Sequence, residues 1–300
     1  MAVVPQNSKS VRKAVGQGMR REDILSKIPG SSCMPQTGVD ILRLLHAPGI
    51  KMGDARAAVM HVQEAIDEEA SSSSATETKA HASLAESHNR GDLRVGMQCM
   101  VQMATAWAIA PLAQMAIKSY DMTPKEMIEH ALNVRVAVAH LGASLGLDLP
   151  EYVFVAALFH DIGKIVLGSF VGVDASRVIS LASQADVSLE SAERKLLGID
   201  HAEVGAVLLE NWRLPKCIVN LVRRHHLPDS APQDQTAVDV LHAADALCMT
   251  AIGEKRNAPR HYHPSLSVTD RLGLSTKSGQ KAVLRTLNEL EKTASLFDEH

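Results

Sequence analysis

Residues 156–164 read Ala156-Ala157-Leu158-Phe159-His160-Asp161-Ile162-Gly163-Lys164. An apolar helical run passes directly into an adjacent His-Asp pair, followed by a glycine and a lysine. Ionisable groups at the end of an apolar face are costly to bury unless they pair or bind a metal. If His160 and Asp161 bind one, the remaining ligands must come from other parts of the chain.

The flanks of this stretch read as helices. Upstream, Thr123 is a candidate N-cap, Pro124 sits at the first helical position and Glu126 falls three after Thr123, a capping box. That helix is expected to run to about Leu145, where Gly146 stops it. Leu149-Pro150 opens the helix that carries the His-Asp pair. Downstream, helices are expected over Ser188–Leu197, with charged faces at Glu190, Glu193, Arg194 and Lys195, over Asp200–Glu210, and from Pro215 through His226. Ala237–Ile252 reads as a long apolar helix, residues 254–275 as loop, and Lys277–Leu296 as an amphipathic terminal helix. No strand run or repeat is evident, so the expected class is all-α.

Composition agrees. The 300 residues are 46% hydrophobic but only 3% aromatic, so the core must rest on Ala, Leu, Val, Ile and Met, a mixture that favours helix over sheet. A net charge of -3 gives no bulk basic field for nucleic acid. Lys9, Arg12, Lys13, Arg20 and Arg21 read as a solvated N-terminal arm. Cys33, Cys99, Cys217 and Cys248 lack metal-ligand spacing and are expected as reduced thiols. No secretory leader is evident, so a cytoplasmic location is expected. Val95–Ile117 lacks charge and is long enough to span a bilayer. Gln98, Gln102, Thr105, Gln114 and Pro111 interrupt it, which favours a helix inside a helical domain and no membrane span.

The candidate ligands lie along these helices. His130 precedes His160 by thirty positions on the preceding helix, and a short loop makes the two helices antiparallel, so the rings can face each other. Glu126 lies one turn before His130, but its capping role is the favoured reading. Asp200-His201-Ala202-Glu203, the pair His225-His226, and Asp245 in an otherwise apolar helix follow. On one helix, adjacent histidines point about 100° apart, which suits flanking two metals better than chelating one. The candidate set is His130, His160, Asp161, His201, His225, His226 and Asp245. Mixed imidazole and carboxylate donors suit Fe, Mn, Ni or Zn, as one or two ions. An aspartate shared by two metals is a phosphoester-hydrolysis arrangement, for which Asp161 and Lys164 are the candidate catalytic residues. His140 and His242 read as packed or surface histidines, His261 and His263 as loop residues flanking Tyr262 and not as ligands, and Arg135, Arg223 and Arg224 as a solvated face.

The order His130, His160-Asp161, His201, His225-His226, Asp245 resembles the HD superfamily of metal-dependent phosphohydrolases, whose defining ligands fall on His130, His160, Asp161 and Asp245. Three motifs narrow the likeness: Ala157 to Leu167, Gly198 to Pro215, and His225-His226. These look like the HDOD family, an HD-related output domain, and Lys27-Ile28-Pro29-Gly30 through Leu45 to Pro48 looks like the start of such a domain. The resemblance implies a multi-helix HD-like bundle over residues 22–253. Residues 22–120 would form a helical N-terminal half with a loop at 67–92, and 121–253 the metal-binding half. Residues 1–21 would be a flexible arm and 254–300 a C-terminal loop and helix. It further implies a bacterial signal-transduction protein acting through a protein partner. The alternative is a metal-dependent phosphohydrolase acting on a nucleotide or other phosphoester. The related HD-GYP family hydrolyses cyclic di-GMP, but Leu-Pro-Asp-Ser-Ala-Pro follows His225-His226 here, with no Gly-Tyr-Pro, so that substrate is not supported.

Overall fold

The computed structural model describes residues 21–28, 123–171, 173, 175–230, 233–256 and 263–298. The arm over 1–20, the helices, loop and uncharged run expected within 29–122, and His81, His88, Cys33, Cys99 and His261 lie outside them. Every regular element among the described residues is helical. None of these helices is long and apolar enough to cross a membrane.

In chain order the helices are α1 (Arg21–Ser26), α2 (Pro124–Leu145), α3 (Tyr152–Phe159), α4 (Ile162–Ile165) with a π-helical continuation Val166–Val171, α5 (Ala175–Ala185) and α6 (Leu189–Leu197). They continue with α7 (His201–Asn211), α8 (Lys216–Arg224), a 3₁₀ turn at Pro228–Ser230, α9 (Gln235–Arg256), α10 (Leu266–Arg271) and α11 (Lys277–Asp298).

The capping box of α2 forms in full: Glu126 N donates to Thr123 Oγ1 at 3.2 Å and Thr123 N to Glu126 Oε2 at 2.7 Å. At the other end Gly146 takes φ 68°, and Leu147 N reaches back to Gly142 O at 2.9 Å, closing the last turn as a Schellman motif. Met127, Ala131, Val134, Val138 and Leu141 recur every three or four residues and make the buried stripe of α2. His130 sits within that stripe. The helix α3 is apolar on nearly all sides, with Val153, Val155, Ala156, Ala157, Leu158 and Phe159 buried, so it forms the centre of the bundle. Around it pack α2, α8 and α9, and α11 lies along α2.

The helices α4 and α7 cross with unusually close backbones. A Cβ placed on Gly163 would stand 1.9 Å from His201 O and 2.7 Å from Gly205 N. Only glycine fits there.

Several elements depart from the sequence expectation. Arg21 is exposed as expected, but it opens a helix that buries Ile24 and pairs with Glu203 on α7. The helix expected through His226 ends at Arg224, with His225 as its C-cap. Residues 254–256 extend α9, and the stretch expected as loop contains α10, whose N-cap Ser265 accepts from Val268 N at 3.3 Å. Helix α5 carried no sequence prediction. Cys217 and Cys248 are free thiols.

Candidate metal centre

The helical run breaks at the His-Asp pair: α3 ends at Phe159, α4 begins at Ile162, and Asp161 stands between them at φ -98° and ψ 4°. This break turns both side chains into the bundle, where His160 and Asp161 are buried. His130 reaches them from α2, His201 from the first turn of α7, His225 and His226 from the turn after α8, and Asp245 from α9. All seven predicted ligands therefore converge.

They form two adjoining groups. His130, His160 and Asp245 make one, and Asp161, His201, His225 and His226 the other; within each, the donor atoms lie within 4.8 Å of one another. Asp161 faces both. Its Oδ2 is 3.5 Å from Nε2 of His130 and of His160, and its Oδ1 is 3.1 Å from His201 Nε2. Asp245 Oδ1 is 3.2 Å from His130 Nε2 and 3.6 Å from His160 Nε2. Because the helix has already ended, the spacing of adjacent histidines on a helix does not apply to His225 and His226. Their ring centroids are 3.9 Å apart and both belong to the second group, although His225 also packs edge-on against His160 at 5.1 Å.

The outward nitrogens explain the ring orientations. His160 Nδ1 donates to Ala157 O at 2.8 Å, His225 Nδ1 to Val222 O at 2.6 Å, and His201 Nδ1 to Glu193 Oε2 at 2.7 Å. Each ring then presents Nε2 inward. A proton on Nδ1 anchored by a carbonyl or carboxylate is the usual arrangement behind a metal-ligating Nε2. Glu193 is wholly buried and also accepts from His201 N at 2.8 Å, so it fixes ring and backbone together. The sequence reading placed Glu193 on a charged face and gave it no role at the centre; α6 buries that residue against α7.

Charge follows this geometry. Burial opposes ionisation of Asp161, but Lys164 Nζ, 2.6 Å from its Oδ2, and His160 hold the carboxyl well below the usual range. Burial also opposes ionisation of Asp245, and hydrogen bonds from His130 and His160 keep it low. Burial would lower His160, yet Asp161 and Asp245 raise it on balance. Burial would lower His201, yet the Glu193 charge together with hydrogen bonds to Asp161 and Glu193 pushes it up to about 10. His225 goes the other way, to about 3, through burial and the neighbouring His160 and His201. His226 is likewise well below the ordinary value through burial and His225.

The residues fit a divalent transition metal. His225 Nε2 is buried with no hydrogen bond, and Asp161 Oδ1 is buried against His201 Nε2 at 3.1 Å. His130 Nε2 lies 3.2 Å from His160 Nε2, and His201 Nε2 lies 2.9 Å from His226 Nε2. Inward imidazole donors crowded around carboxylates supply the nitrogen and oxygen set that Fe, Mn, Ni or Zn prefers.

The remaining candidates lie apart from this cluster. Glu126 is used in the cap. Arg135 lies over Phe154, Arg223 pairs with Glu210 at 3.1 Å, and Arg224 donates to Ser230. His140 and His263 are exposed. His242, expected as a packed or surface residue, is packed beside the centre and bonds to backbone: its Nδ1 donates to His225 O at 2.7 Å, and its Nε2 accepts from Ser265 N at 3.1 Å.

Comparison with known proteins agrees with the motifs. Residues 86–228 match the HDOD domain family model. Among curated proteins, Ribonuclease Y of Thermus thermophilus is 29% identical over 152 residues, which is 50% of this chain and 21% of that protein. The chain thus spans only about a fifth of the length of that relative. Three solved structures share the fold. An HDOD domain protein of unknown function from Geobacter sulfurreducens has TM-score 0.61 and 20% identity, covering 93% of this chain and 92% of that one. A Shewanella amazonensis protein provisionally classed as a phosphohydrolase has TM-score 0.56 and 18% identity, covering 89% and 91%. A Marinobacter aquaeolei protein provisionally classed in signal transduction has TM-score 0.58 and 18% identity, covering 96% and 64%.

Proposed function

We propose, from the premise that residues 86–228 carry an HDOD domain, that this chain is a regulatory signal-transduction protein built around an HD-type metal centre. One observation carries the metal reading: His225 Nε2 is a buried nitrogen without a hydrogen bond, at the junction of two groups of inward imidazoles and carboxylates. His130, His160 and Asp245 would hold one ion, and His201, His225 and His226 a second, with Asp161 shared. The output is a contact with a protein partner. The Marinobacter neighbour's provisional class in signal transduction supports the signalling part of the reading. The proposed domain spans residues 22–253 in the cytoplasm.

A second reading is favoured by a specific observation. Lys164 is buried beside Asp161 and places a cation at the edge of the centre, where a phosphate would sit. A bound metal would polarise a phosphoryl oxygen there. Lys164 would neutralise charge on the same group and keep Asp161 ionised for its ligand role. The substrate would be a nucleotide or another phosphoester.

Metal analysis after purification with Fe, Mn, Ni or Zn supplied tests the shared part, and a protein that stays metal-free under all four sinks it. A panel of cyclic dinucleotides, nucleotides and p-nitrophenyl phosphoesters separates the two readings. Turnover lost in His160→Ala and Asp161→Ala establishes the enzyme. Metal bound with no turnover supports the regulatory module.

A further inference from the structure

Helix α10 and its flanks hold the turn that carries His225 and His226 from outside. His242, on α9, donates from Nδ1 to His225 O at 2.7 Å, and its Nε2 accepts from Ser265 N at 3.1 Å. Both bonds form together only when the ring carries its proton on Nδ1. Ser265 is the N-cap of α10. Two further bonds tie that helix to the same turn: Ser267 Oγ to Asp229 Oδ2 at 2.9 Å and Arg271 to Asp229 Oδ1 at 2.8 Å. Arg271 also grips Asp239 of α9 through two bonds of 2.7 Å, and Gln235 of α9 donates to Pro228 O at 2.9 Å. The turn over residues 225–230 is thus fixed at its first carbonyl by His242 and at its far end by α9 and α10.

We propose that His242 is a positioning residue for His225, and that Ser265, by selecting its tautomer, lets α10 set the affinity of the ion held by Asp161, His201, His225 and His226. This rests on the metal reading given above. No bond described joins His242 or α10 directly to His130 or His160; the link to the other group runs through His225, which packs edge-on against His160 at 5.1 Å.

Cobalt titration of the full chain, followed by visible absorbance and by metal-to-protein ratio, tests it in wild type, His242→Leu, Ser265→Pro and Ser265→Ala. Ser265 has φ -57°, which proline adopts, so Ser265→Pro removes the N–H without forcing the backbone. Ser265→Ala keeps that N–H and loses only the cap hydroxyl. The ion concerned is identified as the one lost in His226→Ala. Expected in His242→Leu is a loss of about 10- to 100-fold in affinity for that ion, the range seen when a group behind a ligand is removed. Ser265→Pro should shift the same ion in the same direction and alter its cobalt spectrum, while Ser265→Ala leaves both unchanged. Wild-type affinity in a folded His242→Leu protein overturns the proposal, as does identical behaviour of Ser265→Pro and Ser265→Ala. If His242→Leu loses its helical circular dichroism, the Ser265 pair decides alone. A wild type that binds no cobalt defeats the metal reading itself, before any variant is compared.

Discussion

Gly163 and Gly205 meet where α4 crosses α7, and the carbonyl of the candidate ligand His201 lies against the same spot. Gly205 is itself tight, since a Cβ there would stand 3.1 Å from Gly163 N and 3.2 Å from Ile162 Cγ2. The turn that presents Asp161 and the helix that presents His201 are thus registered by two absent side chains.

Gly163→Ala should therefore destabilise the protein by about 1–3 kcal/mol or more, the range for overpacking a tight core. The obstacle is backbone, which cannot rotate away as a side chain can. Urea denaturation checks it. The same substitution should also weaken metal binding, because relief requires α4 to move away from His201.

Glu193→Gln keeps the size of the side chain and removes the charge that anchors His201. Metal affinity should fall by about 10- to 100-fold while helical circular dichroism is retained. Calorimetric titration with zinc or manganese provides the measurement.

The metal-free protein should lose stability in acid with a contribution from His225. Its folded pKa is about 3, below the ordinary 6.5, so the folded state binds fewer protons than the unfolded chain between those values. The corresponding stability is present above pH 6.5 and is lost as pH falls toward 3. His201 has the opposite sign: its pKa of about 10 gives stability that is full below 6.5 and lost as pH rises through 10. Asp161 and Asp245, held low, add to the acid loss below the ordinary carboxylate value. Denaturation of chelator-treated protein across pH 3 to 7 should show the acid slope, and His225→Leu should flatten its upper part.

Metal should stabilise the fold by mass action. At a free concentration of 100 times Kd, one bound ion adds about 2.7 kcal/mol. Thermal melts should rise on addition of the cognate ion and return after chelation, and His160→Ala should show a much smaller rise.

The sequence made much of this legible because the ligands break a rule locally. His130, His160, Asp161 and Asp245 each interrupt an apolar pattern, and such interruptions stand out without any structure. The helix starts at Thr123 and Asp200 were equally clear, since capping is a contact within four residues. Glu193 and His242 were not. Glu193 sits among Glu190, Arg194 and Lys195, a composition that reads as a wet surface, and only packing of α6 on α7 shows that it is dry. His242 acts through backbone partners at positions 225 and 265, and backbone bonds leave no trace in residue type. The early end of α8 was hidden for a related reason: nothing at Arg224-His225 forbids another helical turn. Helix α10 was masked by the prolines around it, although Pro264-Ser265 is a helix start.

The break between α3 and α4 has one more consequence. No helix contributes two residues to the cluster: α2, the break, α7, the turn after α8 and α9 each bring their own. On the two-ion reading no single helix could hold either ion: one would be shared by α2, the break and α9, the other by the break, α7 and the turn after α8. Metal occupancy would then report on the docking of several helices, and the rate of metal loss to a chelator would track their separation rather than the fraying of any one helix.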